Sequence, residues 1–416
     1  MAGKRGFETR SIHSGNCPKE WLGATQAPIF QSAAFKFETA EGLSLAFSGK
    51  RPGFIYQRLH NPTSEVLAQR LADLEAGKKA LVFASGMSAI TNTILTLVRA
   101  GDEIISGKSL FFSTYLFFTR FLPRFGVKAH LLETAQPKNF QDKINKSTRL
   151  IYLETIGNPA MDVPDIKAIS QIAHKAKIPL VVDNTLATPY LFKPIEQGAN
   201  LVVHSTTKFL NGHGSAVGGA VIDGGNFNWA SERFPDFKEA RKRAGSLAFW
   251  DKLWREVFVI LGSYQAPVHS YLTLLGLETL SLRMEKHFKN ALELAKFLKA
   301  HPKVSWVNYP GLVSSPYHKT ATRLFSGKGY GALLCFGLKS QSQCFKFINN
   351  LKVCYNLANL GDAKTLVIHP YSTQYISFSE KEKAELGIKQ ELIRVSVGIE
   401  DIEDVVDDFR QALKEL

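Results

Sequence analysis

A lysine with hydroxyl neighbours follows an apolar run near the middle of the chain. The run Leu201–Val203 is short and wholly apolar, which predicts a buried strand. Lys208 comes after it, behind Ser205 and Thr207, and a glycine-rich turn follows through Gly214. A lysine can form a Schiff base with an aldehyde cofactor, and hydroxyl groups can donate to a phosphate. For this stretch alone, a surface lysine after a strand is the simpler interpretation.

A carboxylate at the end of another apolar run favours the chemical interpretation. Asp183 ends the run Ile178–Val182, which also predicts a strand. A carboxylate placed there can keep the ring nitrogen of pyridoxal phosphate (PLP) protonated, and the ring then acts as an electron sink. Lys208 and Asp183 together therefore predict PLP as the cofactor.

The composition argues against several other classes of protein. The chain has 416 residues and a formal net charge of +14, but its lysines and arginines are spread along the sequence without a block of like charges. We interpret this charge as solvated surface that attracts anionic ligands, so neither a nucleic-acid partner nor a membrane partner is predicted. No apolar run is long enough to span a bilayer.

The cysteines and the N-terminus favour a cytoplasmic enzyme. The four cysteines show no Cys-x-x-Cys spacing, so the sequence predicts no zinc site, no other metal site and no disulfide framework. This usage is typical of a reducing compartment. Residues 1–10 are charged and lack the apolar core of a secretory signal, which also favours a cytoplasmic location.

Strands that alternate with helices predict an α/β fold with a mainly parallel sheet. Ligands of such sheets bind beyond the carboxyl ends of the strands. Gly86, Asn158, Asp183 and Lys208 all follow predicted strand ends. Backbone N–H groups at the helix start near Gly86 could form an anion site, although tight strand–helix packing explains that turn equally well.

Three regions are predicted along the chain. Residues 1–60 show little periodic pattern and form an N-terminal arm of the kind that packs on another subunit. Near its end, Tyr56 and Arg58 lie two residues apart and can both reach one phosphate, although a surface arginine before a capped helix is an equally good interpretation. Residues 61–265 form the large cofactor-binding domain, and residues 266–416 form a smaller α/β domain.

Two local predictions concern the region around the domain boundary. Residues 226–262, which are rich in tryptophan, phenylalanine and charge, are expected to be irregular. Residues 267–300 have apolar side chains at helical spacing, with Gly276 as the expected break.

Six motifs resemble those of the Cys/Met-metabolism PLP enzymes, and together they run nearly from end to end. They are Tyr56-x-Arg58-x-x-Asn61-Pro62-Thr63, Ser85-Gly86-Met87, Val182-Asp183-Asn184-Thr185, Ser205-x-Thr207-Lys208, Gly276-x-Glu278-Thr279-Leu280 and Arg394-x-Ser396-Val397-Gly398-Ile399-Glu400. Within this family, the stretches 359–364 and 368–370 look most like the O-acetylhomoserine sulfhydrylases of methionine biosynthesis.

The resemblance implies a fold, an assembly and a set of site residues. The fold is the type I fold of PLP-dependent transferases, and the assembly is a homotetramer whose active sites are shared between two subunits. Lys208 is implied to carry PLP and act as the catalytic base. The other implied contacts are Asp183 at the ring nitrogen, Gly86, Met87, Ser205 and Thr207 at the phosphate, Tyr56 and Arg58 at the phosphate from the neighbouring subunit, Asn158 at the phenolic oxygen, and Arg394 with Asn359 at the substrate.

Two stretches depart from the family pattern where family substrates bind. Phe111 stands where the family usually has a tyrosine stacked on the cofactor, and it can stack but has no hydroxyl. The stretch Tyr371-Ser372-Thr373-Gln374-Tyr375 replaces a family run of Ala-Ser-Thr-Thr-His. We expect another tyrosine, Tyr56, Tyr371 or Tyr375, to supply the missing proton transfer.

Three functions compete at this stage. The first is replacement at Cγ of an activated homoserine by a sulfur nucleophile. The second is cystathionine γ-synthase chemistry or a lyase reaction of the cystathionine or methionine γ-lyase type. The third is a non-catalytic or nucleic-acid-binding protein that kept the fold, against which the intact Lys208 and Asp183 pair argues.

Overall fold

A seven-stranded sheet organises the first half of the chain in the computed structural model, which describes residues 5–416. The first four residues of the predicted arm lie outside the described residues. The strands are β1 (Lys79–Phe83), β2 (Glu103–Gly107), β3 (Lys128–Leu132), β4 (Thr148–Glu154), β5 (Leu180–Asp183), β6 (Leu201–His204) and β7 (Gly219–Asp223). Their order is β1-β7-β6-β5-β4-β2-β3, and only β7 runs antiparallel to its neighbours.

Helices cover both faces of this sheet, which explains its apolar runs. Along the described chain the α-helices are α1 (Phe7–His13), α2 (Ala40–Phe47), α3 (Pro62–Leu74), α4 (Gly86–Leu97), α5 (Phe112–Leu116), α6 (Pro137–Lys143), α7 (Ile166–Lys175), α8 (Thr188–Leu191), α9 (Lys238–Ala244), α10 (Ala248–Lys252), α11 (Val259–Leu261), α12 (Pro267–Glu278), α13 (Leu280–Ala300), α14 (His318–Leu324), α15 (Gln341–Asn350), α16 (Glu380–Glu385) and α17 (Ile402–Lys414). Neighbouring strand residues such as Val181 and Val182 are buried in separate cores on opposite faces.

A smaller sheet lies in the C-terminal part of the chain. Its strands are β8 (Trp306–Asn308), β9 (Leu333–Gly337), β10 (Tyr355–Asn356), β11 (Leu366–Ile368) and β12 (Leu392–Ser396), in the order β10-β11-β12-β9-β8. All pairs except β10 with β11 are antiparallel. Phe336 of β9 packs on Phe347 of α15 with ring centroids 5.6 Å apart. The predicted α/β class with a mainly parallel larger sheet is therefore confirmed.

The boundaries of the three predicted regions stay a prediction. One continuous hydrophobic core contains Val182 of the large sheet, Leu280 of α13 and Phe409 of α17, so packing crosses the proposed limit near residue 265. No helix among residues 5–416 is long and apolar enough to cross a membrane.

The prediction of an irregular segment over residues 226–262 is wrong. The segment contains α9, α10, a π-helical stretch at Leu253–Phe258 and α11. No regular amphipathic period can develop in the sequence, because α9 has only seven residues and the continuous helical run over 248–261 is π-helical in its middle. Aromatic packing holds them instead, because Trp229 stacks on Phe237 at 4.4 Å and on Phe249 at 5.7 Å.

The predicted helix break at Gly276 is also wrong. Helix α12 runs through Gly276 and ends at Glu278, and α13 begins at Leu280. A Cβ on Gly276 would lie 2.6 Å from the backbone oxygen of Leu210, which is closer than real Cβ contacts allow. This glycine therefore permits close packing of α12 on the segment after Lys208 and has no role as a turn.

Candidate active site

A cavity of about 550 Å³ opens at the carboxyl-terminal edge of the large sheet. Nine of the twelve predicted site residues line it, namely Gly86, Met87, Phe111, Asn158, Asp183, Ser205, Thr207, Lys208 and Asn359. Tyr56, Arg58 and Arg394 are not among the lining residues. The carboxyl ends of parallel strands meet at one edge, which explains why residues scattered over most of the chain converge there.

Lys208 is held at the wall of this cavity by a residue from the C-terminal part of the chain. Its Nζ donates to Asn359 Oδ1 at 2.6 Å. Desolvation in the cavity and the nearby Arg394 guanidinium lower the pKa of Lys208 to about 8, from 10.5. Both effects disfavour the ammonium form, so the amine becomes neutral, and therefore nucleophilic and basic, close to physiological pH.

The lowered pKa of Lys208 predicts how the apoprotein takes up PLP. Only the neutral amine attacks an aldehyde, so the rate of covalent uptake should rise by about tenfold per pH unit below the pKa. We expect the rate to level off near pH 8, the pKa of this amine. Stopped-flow absorbance of the apoprotein mixed with PLP measures this rate, with the Lys208→Ala protein as the blank. A rate that keeps rising through pH 10 would show an ordinary lysine.

Asp183 is buried at the end of β5, where two neighbours hold its carboxylate. Its Oδ1 accepts from the Thr185 amide at 2.9 Å, and the Tyr152 hydroxyl donates to Oδ2 at 3.3 Å. Burial raises the pKa of Asp183, whereas the hydrogen bonds from Thr185 and the charge of His204 lower it. A cationic ring nitrogen would stabilise the anionic form of this carboxylate, which is the fit expected for a pyridinium.

Glu154 is a site residue that the sequence interpretation missed. It ends β4 directly beside Asp183, because these two residues are paired in the register of β4 and β5. Its Oε1 accepts from the Phe111 amide at 2.6 Å, which fixes the segment that carries the Phe111 ring. Burial, and then the nearby Asp183 charge, raise the pKa of Glu154 well above its usual range. The sequence does contain a signal for Glu154, because this polar residue ends the apolar run of β4.

The start of α4 offers a cradle for a phosphate. The Ser85 side chain caps the helix by accepting from the Ser88 amide at 3.1 Å, and the first amides of a helix have no partner within it. A Cβ on Gly86 would lie 2.6 Å from Ser205 Cβ, so only glycine allows this approach. The Ser205 hydroxyl and the first amides of α4 thus face the same end of the cavity.

Thr207 contributes less to this cradle than its position in the motif suggests. Its hydroxyl donates to the Gly218 oxygen at 3.1 Å and accepts from the Gly218 amide at 3.0 Å. The hydroxyl proton is therefore already committed to the backbone, although Thr207 does line the cavity. Its phosphate contact stays a prediction that requires this proton to turn away from Gly218.

Arg394 lies behind the cavity and connects two of the lining residues. Its Nη1 donates to Asn158 Oδ1 at 3.4 Å, and its Nη2 donates to the Asn359 carbonyl oxygen at 3.2 Å. The residue is buried, and its Nε has no hydrogen-bond partner among residues 5–416. Burial lowers the pKa of this guanidinium. A buried guanidinium with an unused donor is a suitable partner for a carboxylate.

Tyr56 and Arg58 lie on a different part of the same chain. Tyr56 is 44% exposed, and the Arg58 guanidinium lies 5.6 Å from the centre of its ring. Arg58 Nη1 donates to the carbonyl oxygen of Val259 at 2.6 Å. The structure therefore does not bring either side chain into the cavity of its own chain.

The two candidate tyrosines of the C-terminal part differ in their surroundings. The Tyr371 hydroxyl donates to Glu380 Oε2 at 2.7 Å and accepts from Gln390 at 3.1 Å. Tyr375 is buried, and its ring packs against Phe112, the neighbour of Phe111, at 6.3 Å. Burial raises the pKa of Tyr375, whereas the Arg394 guanidinium lowers it.

The chain is similar to PLP-dependent enzymes over nearly its whole length. Residues 8–414 match the family model described as Cys/Met metabolism PLP-dependent enzyme. The chain is 41% identical to a homocysteine synthase of Schizosaccharomyces pombe, with 98% of each chain covered. It is 39% identical to an O-acetyl-L-homoserine sulfhydrylase of Leptospira meyeri, covering 98% of this chain and 97% of that one.

A solved structure shows the same fold with the cofactor attached. A putative O-acetylhomoserine (thiol)-lyase of Campylobacter jejuni, crystallised with an N'-pyridoxyl-lysine-5'-monophosphate residue, matches with a TM-score of 0.95 and 33% identity. The match covers 99% of this chain and 100% of that chain. The fold is thus that of a type I PLP-dependent enzyme. The chain belongs to the family of Cys/Met metabolism PLP-dependent enzymes.

Proposed function

We propose that this enzyme replaces the acetoxy group at Cγ of O-acetyl-L-homoserine with a sulfur nucleophile. With sulfide, the products are homocysteine and acetate, which is a step of methionine biosynthesis. The reaction type rests on the Lys208 amine, whose lowered pKa and bond to Asn359 fit a catalytic base. The choice of substrate rests on relatives named sulfhydrylase or homocysteine synthase that are similar over nearly the whole chain.

Lys208 is assigned the proton transfers of the reaction. Bound PLP withdraws electrons from the substrate and thereby acidifies the hydrogen on its Cα. The neutral Lys208 amine then accepts this proton and returns a proton when the product forms. Asn359 aims the amine through the 2.6 Å hydrogen bond and fixes its position at the cavity wall.

The remaining contacts with the cofactor are proposed for residues that line the cavity. Asp183 would pair with the ring nitrogen, and Ser205 with the Gly86 and Met87 amides would hold the phosphate. Phe111 would pack on the ring face, and Asn158 would lie at the phenolic oxygen. Glu154 supports this stacking because its carboxylate anchors the Phe111 backbone.

Arg394 and Asn359 are assigned to the substrate. The α-carboxylate of an amino acid needs a cation, and Arg394 is the buried guanidinium next to Asn158 and Asn359. Its unpaired Nε provides a donor that no residue of the described chain uses. A carboxylate at this position would also offset the cost of burying the positive charge.

Product analysis tests the proposed reaction. The purified enzyme is incubated with O-acetylhomoserine, O-succinylhomoserine, cystathionine or methionine, each with and without sulfide. We expect homocysteine and acetate from O-acetylhomoserine, formed only when sulfide is present. Ammonia and a 2-oxo acid as the main products, without a need for sulfide, would instead establish a PLP-dependent lyase.

We further propose a cytoplasmic homotetramer in which neighbouring subunits complete each other's sites. Tyr56 and Arg58 do not line the cavity of their own chain, and Ser205 and the helix amides alone leave a phosphate dianion without an arginine. Beside Arg58, the side chains of Ile260 and Leu261 are 74% and 55% exposed, an apolar surface that a second copy would cover. The absence of nucleic-acid and membrane partners remains a prediction from the sequence.

The shared site predicts that two inactive variants complement each other. Arg58→Ala removes the arginine that one subunit lends, and Lys208→Ala removes the base that another subunit uses. Mixing the two proteins should restore up to about a quarter of the wild-type activity per site, because some mixed sites contain both native residues. Subunit exchange is verified with differently tagged chains. Absence of recovery after proven exchange would contradict the shared site.

A further inference from the structure

A buried acid and histidine lie directly beneath the residues assigned to PLP. Glu75 follows the last turn of α3, and His204 is the last residue of β6. His204 Nε2 donates to Glu75 Oε1 at 2.6 Å, and both side chains are fully buried. No step of the proposed reaction uses either group. Burying an acid is costly without a partner, and the pair meets this cost only in part, because Glu75 Oε2 and His204 Nδ1 have no hydrogen-bond partner among residues 5–416.

The same Glu75 oxygen also holds a second strand end. Asn184 Nδ2 donates to Glu75 Oε1 at 2.8 Å. The Asn184 side-chain oxygen in turn accepts from the Thr155 hydroxyl at 2.8 Å. Glu75 therefore ties together the ends of β5 and β6, and the Asn184 amide extends the connection to the residue after β4.

Each of the two residues held by Glu75 adjoins a residue assigned to the cofactor. Asn184 follows Asp183 directly, and His204 precedes Ser205 directly. The pairing of β5 with β6 and the backbone hydrogen bond from Asn184 to Val203 already join these two strand ends. The Glu75 carboxylate oxygen adds a side-chain link between the residues next to Asp183 and Ser205. The pyridine ring of PLP is rigid and its phosphate arm is short, so a protein that already holds both contact points at the required spacing gains affinity by preorganisation.

The charged groups at the carboxyl-terminal edge of the large sheet also connect the pair of Glu75 and His204 to Asp183. Glu154 and Asp183 are neighbouring buried carboxylates, and burial, followed by the Asp183 charge, raises the pKa of Glu154. Among the causes that lower the pKa of Asp183 is the positive charge of His204. Glu75 holds the His204 ring in place through the 2.6 Å hydrogen bond between Nε2 and Oε1.

We propose that Glu75 is a positioning residue for the cofactor, which acts through His204 and Asn184 to hold Asp183 and Ser205 at the spacing that PLP requires. The proposal rests on the assignment of Asp183 and Ser205 to PLP in the proposed function. It predicts an effect on cofactor affinity, because the network contacts neither the substrate nor Lys208.

The test compares two identical substitutions in or next to the same helix. Glu75→Gln keeps the shape and the acceptor oxygen of the side chain but removes its charge. Glu65→Gln is the control, because it makes the same change in a carboxylate that pairs with Lys79 at 3.3 Å. PLP is titrated into each apoprotein, with fluorescence quenching and the visible absorbance band as readouts. We expect the Kd for PLP to rise at least about tenfold for Glu75→Gln, because charge-assisted hydrogen bonds are about twice as strong as neutral ones. Glu65→Gln should bind PLP as the wild type does.

A second variant separates positioning from a general loss of stability. His204→Gln removes the imidazole and retains a side-chain amide, and the double variant Glu75→Gln with His204→Gln completes a cycle. If Glu75 acts through His204, the Kd of the double variant for PLP should be about that of the single variant with the higher Kd. Thermal melting of each apoprotein shows whether the fold is retained.

Two results would overturn the proposal. One is an unchanged Kd for PLP in folded Glu75→Gln protein, and the other is strictly additive losses in the cycle. Unfolding of the Glu75→Gln apoprotein, with normal PLP affinity in His204→Gln, would also overturn it, because the role would then be structural. Asp183→Asn is the separate test of the assignment on which the proposal rests. If Asp183→Asn leaves PLP binding and its visible band intact, that assignment fails, whatever Glu75 does.

Discussion

Replacing Lys208 by alanine should lower turnover of O-acetylhomoserine by at least about a thousandfold, because general base catalysis alone contributes roughly a hundredfold to ten-thousandfold. No other lysine or arginine among residues 5–416 lines the cavity, so no amine nearby can take its place. PLP should still bind without a covalent bond, since Asp183 and the phosphate cradle remain. Steady-state kinetics gives the loss of turnover, and absorbance of the dialysed protein gives the PLP content.

A matched variant shows that this loss is specific to Lys208. Lys138 pairs with Asp142 and is 79% exposed in its side chain, so Lys138→Ala removes a similar charge outside the cavity. We expect Lys138→Ala to retain turnover within about twofold, as surface substitutions usually do. Retention of a tenth or more of the activity by Lys208→Ala would show that another group is the base.

The second large effect is expected at Tyr375. None of the three tyrosines proposed to replace the phenol missing at Phe111 is among the residues that line the cavity. Tyr371 is bound to Glu380 and Gln390, and Tyr56 is 44% exposed. Tyr375 is buried near Arg394, and no residue from 5 to 416 forms a hydrogen bond with its hydroxyl. Its ring reaches Phe111 through Phe112, with centroid distances of 6.3 and 4.7 Å.

Tyr375→Phe should therefore lower sulfide-dependent turnover by roughly a hundredfold, the usual contribution of one proton-transfer group. Tyr371→Phe is the control with the same chemical change, and it should leave turnover nearly unchanged. Phe111→Tyr should change the rate only modestly, because the phenol it adds duplicates one already present. An increase of orders of magnitude in Phe111→Tyr would mean that the natural reaction is a different one.

The residues at strand ends could be predicted from the sequence because parallel strands are buried on both faces. An apolar run that stops at a polar residue, as at Asp183, marks a strand end, and the topology then places such ends at one edge. Lys208 could be predicted for the same reason, because it follows the end of the apolar strand β6. Glu154 carries an equal signal, so its omission was a failure of interpretation.

Contacts between distant parts of the chain could not be predicted in this way. Arg394 and Asn158 are separated by 236 positions, and only the packing of the small sheet against the large one brings them together. The role of Glu75 depends on two hydrogen bonds to other strands, which leave no local pattern. The helices of residues 226–262 are held by packing between aromatic rings, and such packing leaves no regular spacing in the sequence.

The most direct test of the central claim is to locate the lysine that carries PLP. The purified enzyme is reduced with borohydride, digested and analysed by mass spectrometry for a pyridoxyl-lysine peptide. The account predicts that the visible absorbance band of the cofactor is lost and that one modified peptide appears, with the adduct on Lys208. A stable adduct on any other lysine, or no adduct in an enzyme that still turns over O-acetylhomoserine, would contradict it.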